Sequence, residues 1–151
     1  MAQNAQVQTP IVIGVGAVVF RGEDVLLIRR GKAPFKGYWS IPGGKLNHGE
    51  ALRAAVRREV REETGGDIDI LGLIDVFEAL PGEIDRHEPG EHMLLIDFIG
   101  EWRGGEPVAG DDAAEAEFVP VDEAIRRLSW EKTRTALARA LEIRRAAAKP
   151  L

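Results

Sequence analysis

The chain has 151 residues, of which 44% are hydrophobic and 30% charged, so it fits a single domain with a buried core and not a disordered polypeptide. It contains no cysteine, which excludes disulfide scaffolds, zinc–thiolate sites, iron–sulfur clusters and cysteine nucleophiles. The net charge is -5, but the acidic residues are concentrated in the centre of the chain, since residues 59–120 hold eighteen Asp and Glu against three Lys and Arg. This acidic balance disfavours a nucleic-acid polymer as partner and favours a site for divalent cations.

The N-terminal part of the chain is predicted to be a leader followed by a β-hairpin. Residues 1–10 are polar, so we expect a flexible leader and a single domain spanning residues 11–148. Ile11–Phe20 is rich in β-branched residues and predicts a strand, and Val25–Arg29 predicts its antiparallel partner. The apolar runs are too short to span a bilayer and no secretory signal precedes them, so we expect a cytoplasmic protein without membrane contact.

The rest of the chain predicts a mixture of helices and strands. Residues 31–49 contain five glycines and two prolines, which predicts an ordered loop. Glu50–Thr64 lacks both residue types and stops at Gly65-Gly66, which predicts a helix. Further along, the pattern predicts strands over 67–79, 93–99 and 117–119, a turn region over 100–110, and helices over 121–128 and 130–148. This order predicts a mixed β-sheet with helices on its faces, an α/β/α sandwich.

Three carboxylates converge on one face of the predicted helix. Glu59 and Glu63 lie about 40° apart on a helical wheel, and Glu62 lies about 60° to the other side of Glu59. One and two turns earlier the same face is apolar, so the stripe that should meet the core becomes acidic. Partly buried like charges are unfavourable unless something neutralises them, and Mg²⁺ with its oxygen ligands would do so. The alternative is a surface helix on which neighbouring arginines pair with these glutamates.

The spacing around the glutamates favours the metal site. It runs from Gly44 through five residues to Glu50, and then through seven residues to Arg58-Glu59-Val60-Arg61-Glu62-Glu63-Thr64-Gly65. This register resembles the Nudix box, G-x5-E-x7-R-E-U-x-E-E-x-G-U with U aliphatic, and the chain is similar to Nudix hydrolases. The last position departs from the box, since Gly66 stands where an aliphatic residue is usual. Trp39–Lys45 also resembles the loop that precedes the box in this family.

The resemblance implies an α/β/α sandwich of the Nudix type and an enzyme that requires Mg²⁺, with Mn²⁺ as a substitute. The implied reaction is hydrolysis of a nucleoside diphosphate linked to another moiety. Arg58 would orient a glutamate by ion pairing, and Glu50 would hold loop and helix together. The implied metal ligands are the carboxylates of Glu59, Glu62 and Glu63 and a backbone carbonyl of Gly43 or Gly44.

The general base and the substrate-binding residues are less specified. The base is either a glutamate of the box, Glu59 or Glu62, or a carboxylate of a later loop that would otherwise be a solvated acid. The loop candidates are Glu88, Glu91, Asp112 and Glu115. We expect Arg29, Arg30 and Lys45 to bind substrate, although arginines at strand ends often face solvent.

The resemblance also bears on the substrate. Pro81, fifteen residues after Gly66, resembles a marker of ADP-ribose pyrophosphatases in the family, although a plain turn explains one proline about as well. We expect ADP-ribose or a related nucleotide-sugar as substrate. The alternatives are a sanitising nucleoside triphosphate pyrophosphatase acting on oxidised or non-standard nucleotides and a non-catalytic nucleotide sensor, against which the intact acidic cluster argues. The family further suggests a homodimer that uses the leader and the first hairpin.

Overall fold

The structure is a computed structural model that describes residues 10–33, 35–83 and 91–148. The predicted leader, apart from Pro10, therefore lies outside the described residues, and so does Glu88. Within the described ranges, no helix combines the length and the apolar character needed to cross a membrane.

The described residues form seven strands and three helices. The strands are β1 (Val12–Arg21), β2 (Asp24–Arg30), β3 (Trp39–Ser40), β4 (Gly43–Lys45), β5 (Asp67–Ala79), β6 (Met93–Arg103) and β7 (Ala113–Pro120). The helices are α1 (Leu52–Thr64), α2 (Val121–Arg127) and α3 (Glu131–Ala148).

All seven strands belong to one mixed sheet. Its main order is β3-β2-β1-β6-β5, with β4 beside β1 and β7 beside β2. The β1–β2 hairpin closes at Arg21 and Asp24, which face each other across the antiparallel pair. β1 runs parallel to β6, whereas β5 and β6 are antiparallel. The predicted mixed sheet is confirmed.

The two faces of the sheet are covered by different helices, because successive side chains of a strand point to opposite sides. On β1, Val15, Ala17 and Val19 join the cluster that contains Val56 and Val60 of α1. The alternate β1 residues join a second cluster together with residues of α2 and α3: Val18, Phe20, Ala124, Leu137 and Ala140. The sheet is thus enclosed between two helical layers, as the α/β/α prediction requires.

The main difference from prediction lies in residues 31–49, which contain two short strands. Gly44 and Gly43 of β4 pair antiparallel with Val15 and Gly16 of β1. A Cβ on Gly43 would lie 2.3 Å from the Val15 carbonyl oxygen, so only glycine allows this approach. The glycines that suggest a loop thus serve a close strand pairing. β6 and β7 are also longer than predicted, since both continue along their partner strands.

The departure of Gly66 from the box has a structural reason. A Cβ at this position would lie 1.9 Å from the Cη2 atom of the Trp102 indole. Trp102 is buried, meets Phe118 edge to face at 5.2 Å and donates its indole N–H to the Gly105 carbonyl at 3.0 Å. The indole therefore takes the space that an aliphatic side chain at residue 66 would fill.

Candidate active site

The β4 strand and the α1 helix bring two glutamates against a pair of glycines. Glu63 is 1% exposed, and its Oε1 atom accepts a hydrogen bond from the Gly43 amide at 2.7 Å. Glu59, one turn earlier, is 8% exposed, and its carboxylate lies 2.5 Å from where a Cβ of Gly44 would be. The absence of side chains on β4 is therefore what lets the helix place both carboxylates against the strand.

Arg58 connects these carboxylates to the loop before the helix. Its guanidinium donates to Glu50 at 2.7 and 2.9 Å and to Glu59 at 2.7 Å. It also donates to Glu62 at 3.2 Å and to the Lys45 carbonyl at 3.0 Å. The hydrogen bond from Arg58 lowers the pKa of Glu50, so that this carboxylate stays ionised. Arg58 thus fixes the orientation of the acidic cluster.

The site carries more negative charge than its arginine neutralises. Burial raises the pKa of Glu63 to about 8, although the hydrogen bond from Gly43 acts in the opposite direction. Burial also raises the pKa of Glu59, against the effect of Arg58. The nearby positive charge is therefore too small to offset the effect of burial on the ionised form of either glutamate.

The donor chemistry of the site fits a hard divalent cation. No three carboxylates or imidazoles of the described residues converge closely enough to form a complete metal site by themselves. The groups present at β4 and α1 are nevertheless carboxylate and carbonyl oxygens, the ligands that Mg²⁺ and Mn²⁺ prefer, and Mg²⁺ commonly completes its shell with water and substrate phosphates. A dication would also supply the charge that the buried pair Glu59 and Glu63 lacks.

A cavity of about 900 Å³ adjoins the cluster. Arg58, Glu59, Gly43 and Gly44 line it, whereas Glu62 is exposed and held by Arg58 outside this lining. The wall also contains aromatic and apolar side chains from β3 and the loop before it, from β6 and from the segment that joins α2 to α3: Phe35, Tyr38, Trp39, Met93, Leu95 and Trp130. A cavity with charged groups on one part of its wall and flat apolar groups on another suits a nucleotide.

The predicted substrate-binding residues separate into two groups. Arg30 and Lys45 line the cavity. Arg29 does not contribute to the described lining; it pairs with Glu115 of β7 at 2.6 Å. A register shift between Arg29 and Arg30 in the β2–β7 pair accompanies this separation.

The candidates for a general base separate in the same way. Asp112 and Glu91 line the cavity, whereas Glu115 is outside its described lining and Glu88 lies in the undescribed segment. Asp112 also contacts the loop that follows β2, since its carbonyl accepts the Gly31 amide at 2.7 Å and its carboxylate lies 3.5 Å from Lys32.

Three acidic residues of the cavity were not predicted: Glu83, Asp97 and Asp111. Glu83 pairs with Lys132 at 2.7 Å. Asp111 precedes Asp112 and has a φ of 50°, a conformation that Asp adopts more readily than most residues. Asp97 lies in β6 and is 7% exposed. A sequence signal exists for Asp97 alone, because a single acid interrupts the apolar run of residues 93–99.

Comparisons with known proteins identify relatives of this chain. The chain is 41% identical over 106 residues to an ADP-ribose pyrophosphatase of Methanocaldococcus jannaschii; the match covers 70% of the chain but 60% of that relative's length. It is 34% identical over 125 residues to a putative 8-oxo-dGTP diphosphatase 2 of Mycobacterium tuberculosis, covering 74% of the chain and 82% of the relative.

The fold itself has known counterparts. The crystal structure of a NUDIX hydrolase from Nitrosomonas europaea superimposes with a TM-score of 0.76 at 22% identity, covering 94% of this chain and 76% of that one. The family model of the NUDIX domain matches residues 10–141. Since that match spans most of the sequence, the chain belongs to the Nudix family of hydrolases.

Proposed function

We propose that this protein hydrolyses the pyrophosphate bond of a nucleoside diphosphate linked to another moiety, with ADP-ribose as the leading substrate, in the cytoplasm. The observation that carries the proposal is the buried pair Glu59 and Glu63 against Gly43-Gly44, of which Glu59 and both glycines line a cavity of about 900 Å³ that contains aromatic side chains, while Glu63 lies behind that lining. Buried carboxylates destabilise the folded state without a cation to neutralise them. A protein that only bound nucleotides would not need such an acidic cluster.

In the proposed mechanism the residues of α1 and β4 organise the reaction. Glu59, Glu62, Glu63 and the carbonyls of Gly43 or Gly44 are the groups that would hold Mg²⁺ or Mn²⁺. A cation held by these groups would offset the charge on the pyrophosphate oxygens and would make a bound water more acidic. Arg58 keeps the carboxylates in place through its hydrogen bonds to Glu50 and Glu59, so that the cluster does not collapse or rotate on binding.

The remaining steps fall to residues that line the cavity. Arg30 and Lys45 would contact the phosphates. The base that takes a proton from the attacking water is proposed to be Asp112, with neighbouring Asp111 and Glu91 as candidates in the same cavity and Glu59 or Glu62 as candidates on the helix. Glu115 is a weaker candidate, because it pairs with Arg29 and does not contribute to the described lining of the cavity.

The relative from Methanocaldococcus jannaschii, which is named an ADP-ribose pyrophosphatase, supports ADP-ribose as the proposed substrate. The turn after β5 is compatible with it: Pro81 is followed by Gly82 with a φ of 86°, and the Glu83 amide bonds to the Leu80 carbonyl at 3.0 Å. This is the geometry of a type II turn, so Pro81 has a structural role whatever the substrate. The mycobacterial relative supports the second candidate, hydrolysis of an oxidised nucleoside triphosphate.

A substrate panel tests the proposal. Purified protein with Mg²⁺ is given ADP-ribose, ADP-glucose, dinucleoside polyphosphates, dGTP and 8-oxo-dGTP, and kcat/KM is measured by phosphate release after phosphatase coupling. We expect the highest kcat/KM for ADP-ribose. A higher value for 8-oxo-dGTP would contradict the leading substrate and favour the sanitising activity, and no turnover of any nucleotide would contradict the enzyme proposal itself.

A further inference from the structure

One buried acid of the cavity has no part in the proposed hydrolysis. Asp97 lies in the middle of β6, 7% exposed, and forms no hydrogen bond or ion pair with another described residue. Gly16 of β1 pairs with Asp97 on one side and with Gly43 of β4 on the other, so β1 lies between Asp97 and the strand that meets the Nudix glutamates. A carboxylate that is nine-tenths buried without a partner is costly, so a role for it in binding explains its presence.

The neighbouring strand makes room for this carboxylate. Asp97 is paired with Gly16 of β1 in the parallel β1–β6 ladder. A Cβ on Gly16 would lie 2.6 Å from the Asp97 Oδ1 atom, so any other residue there would displace the carboxylate. Because Gly16 and Asp97 both line the cavity, the carboxylate lies over the glycine on the cavity side of the sheet.

The surroundings of Asp97 indicate which part of a nucleotide it would meet. Leu95 and Met93 of the same strand line the cavity, and so do the aromatic rings of Tyr38 and Trp130. Flat apolar walls suit a nucleobase, whose faces stack on aromatic side chains. A carboxylate beside such walls accepts hydrogen bonds, and the exocyclic amino groups of purines donate them.

We propose that Asp97 is a specificity-determining residue that accepts a hydrogen bond from an amino group of the purine base. This inference rests on the proposed function only in taking nucleotides as the ligands of the cavity. It adds a base-reading residue to the phosphate site at α1 and β4. The raised pKa of Asp97, about 7 because of burial, is consistent with a carboxyl that lacks a partner within the chain.

The test removes the amino group from the ligand and the carboxylate from the protein. Calorimetric titration gives Kd for AMP and purine riboside 5′-monophosphate, and for GMP and IMP, pairs that differ by one amino group. Asp97→Ala removes the acceptor, and Asp97→Asn keeps its shape. Asp75→Asn is the matched control, since Asp75 faces Asp97 across the β5–β6 ladder, pairs with Arg139 and is outside the described lining.

In at least one of the two pairs, we expect the nucleotide that carries the additional amino group to bind the parent protein about 10–100-fold more tightly than its counterpart. A hydrogen bond to a charged acceptor gives a ratio of this size. That ratio should fall to about 1 in Asp97→Ala, decrease in Asp97→Asn and persist in Asp75→Asn. A ratio that persists in Asp97→Ala, the absence of any ratio in the parent, or a parent that binds none of the four ligands would each overturn the assignment.

The outcome is independent of turnover. If the parent hydrolyses no nucleoside diphosphate derivative while the amino-group preference still depends on Asp97, the proposed function fails and the base-reading role stands. If ADP-ribose is hydrolysed but the preference does not depend on Asp97, the reverse holds.

Discussion

At the scale of single residues, the carboxylates of the site differ in burial and partners, and therefore in expected role. Glu63 is the most buried and accepts the Gly43 amide, whereas Asp112 lies on the loop before β7. Converting a metal ligand to its amide should lower both metal affinity and activity, whereas converting a general base should lower activity alone. The two residues can therefore be assigned separately by measuring activity and metal affinity on the same variants.

We predict that Glu63→Gln lowers kcat by several orders of magnitude and removes most of the Mg²⁺-dependent increase in Tm. Folding should persist without metal, because Gln still offers an oxygen to the Gly43 amide and relieves a buried charge. Glu142→Gln, on the exposed face of α3, is the control and should behave as the parent. Near-parent activity of Glu63→Gln would show that the helix is not the site.

Asp112→Asn provides the contrast in the same experiment. If Asp112 is the base, its rate should fall by about 10²–10⁴, the usual range for acid–base catalysis, with the Mg²⁺-dependent change in Tm intact. If the rate stays within a few-fold of the parent for Asp112→Asn and also for the amide variants of Asp111 and Glu91, the base belongs to α1.

Asp97 gives a prediction for the pH dependence of stability. Its pKa is raised by burial to about 7, above its value in the unfolded chain, so the folded state binds more protons between pH 4 and 7. Stability from this group is therefore lost as pH rises through that range, at about 1.4 kcal/mol per pH unit at most. Asp97→Asn should raise Tm relative to the parent more at pH 8 than at pH 5. An equal difference at both pH values would refute the shift.

At the scale of elements, the site depends on how β4 and α1 meet. α1 ends at Gly65, which has a φ of 73° and donates its amide to the Arg61 carbonyl at 2.9 Å. The loop between β6 and β7 is bonded to the end of the helix, since the Val108 amide donates to the Thr64 carbonyl and the Gly110 amide to the Glu63 carbonyl. These bonds connect the loop that carries Asp111 and Asp112 to the helix that carries the glutamates.

The packing of Trp102 over residue 66 yields a prediction at this scale. Gly66→Val should destabilise the protein by about 1–3 kcal/mol, because the new side chain overlaps the indole. Gly72→Val is the matched control, since no atom lies within 4 Å of a Cβ at Gly72. Urea denaturation of both variants measures the effect. Equal stability of Gly66→Val and the parent would mean that the indole is free to move aside.

Local signals predict local elements well in this chain. The helix α1 and the first hairpin were predictable, because helix-forming residues, a glycine stop and β-branched runs act over a few positions. The strands β3 and β4 were not, since β3 pairs with β2 and the glycines of β4 pair with β1 through contacts that no local pattern reveals. For the same reason the roles proposed for Glu59 and Glu63 could be read from the local spacing of the box, whereas the position of Asp97 depends on the β1–β6 register.

At the scale of the whole molecule, the sheet leaves one edge strand with apolar side chains outside. Leu71 and Leu73 of β5 are 58% and 51% exposed, and Val76 is 44% exposed. The homodimer remains a prediction. A second copy of the chain would cover this exposed apolar surface of β5 in addition to the first hairpin. Light scattering at micromolar concentration should give a dimeric mass. A monomeric mass would contradict it.

The central claim is that the buried glutamates of α1 act through a divalent cation. The most direct measurement is the rate of ADP-ribose hydrolysis in EDTA, followed by stepwise addition of Mg²⁺ or Mn²⁺ beyond the chelator. We expect EDTA to abolish turnover, either metal to restore it, and Tm to rise over the same range because the cation binds the folded state preferentially. Full activity in excess EDTA would show that the glutamates do not act through a cation.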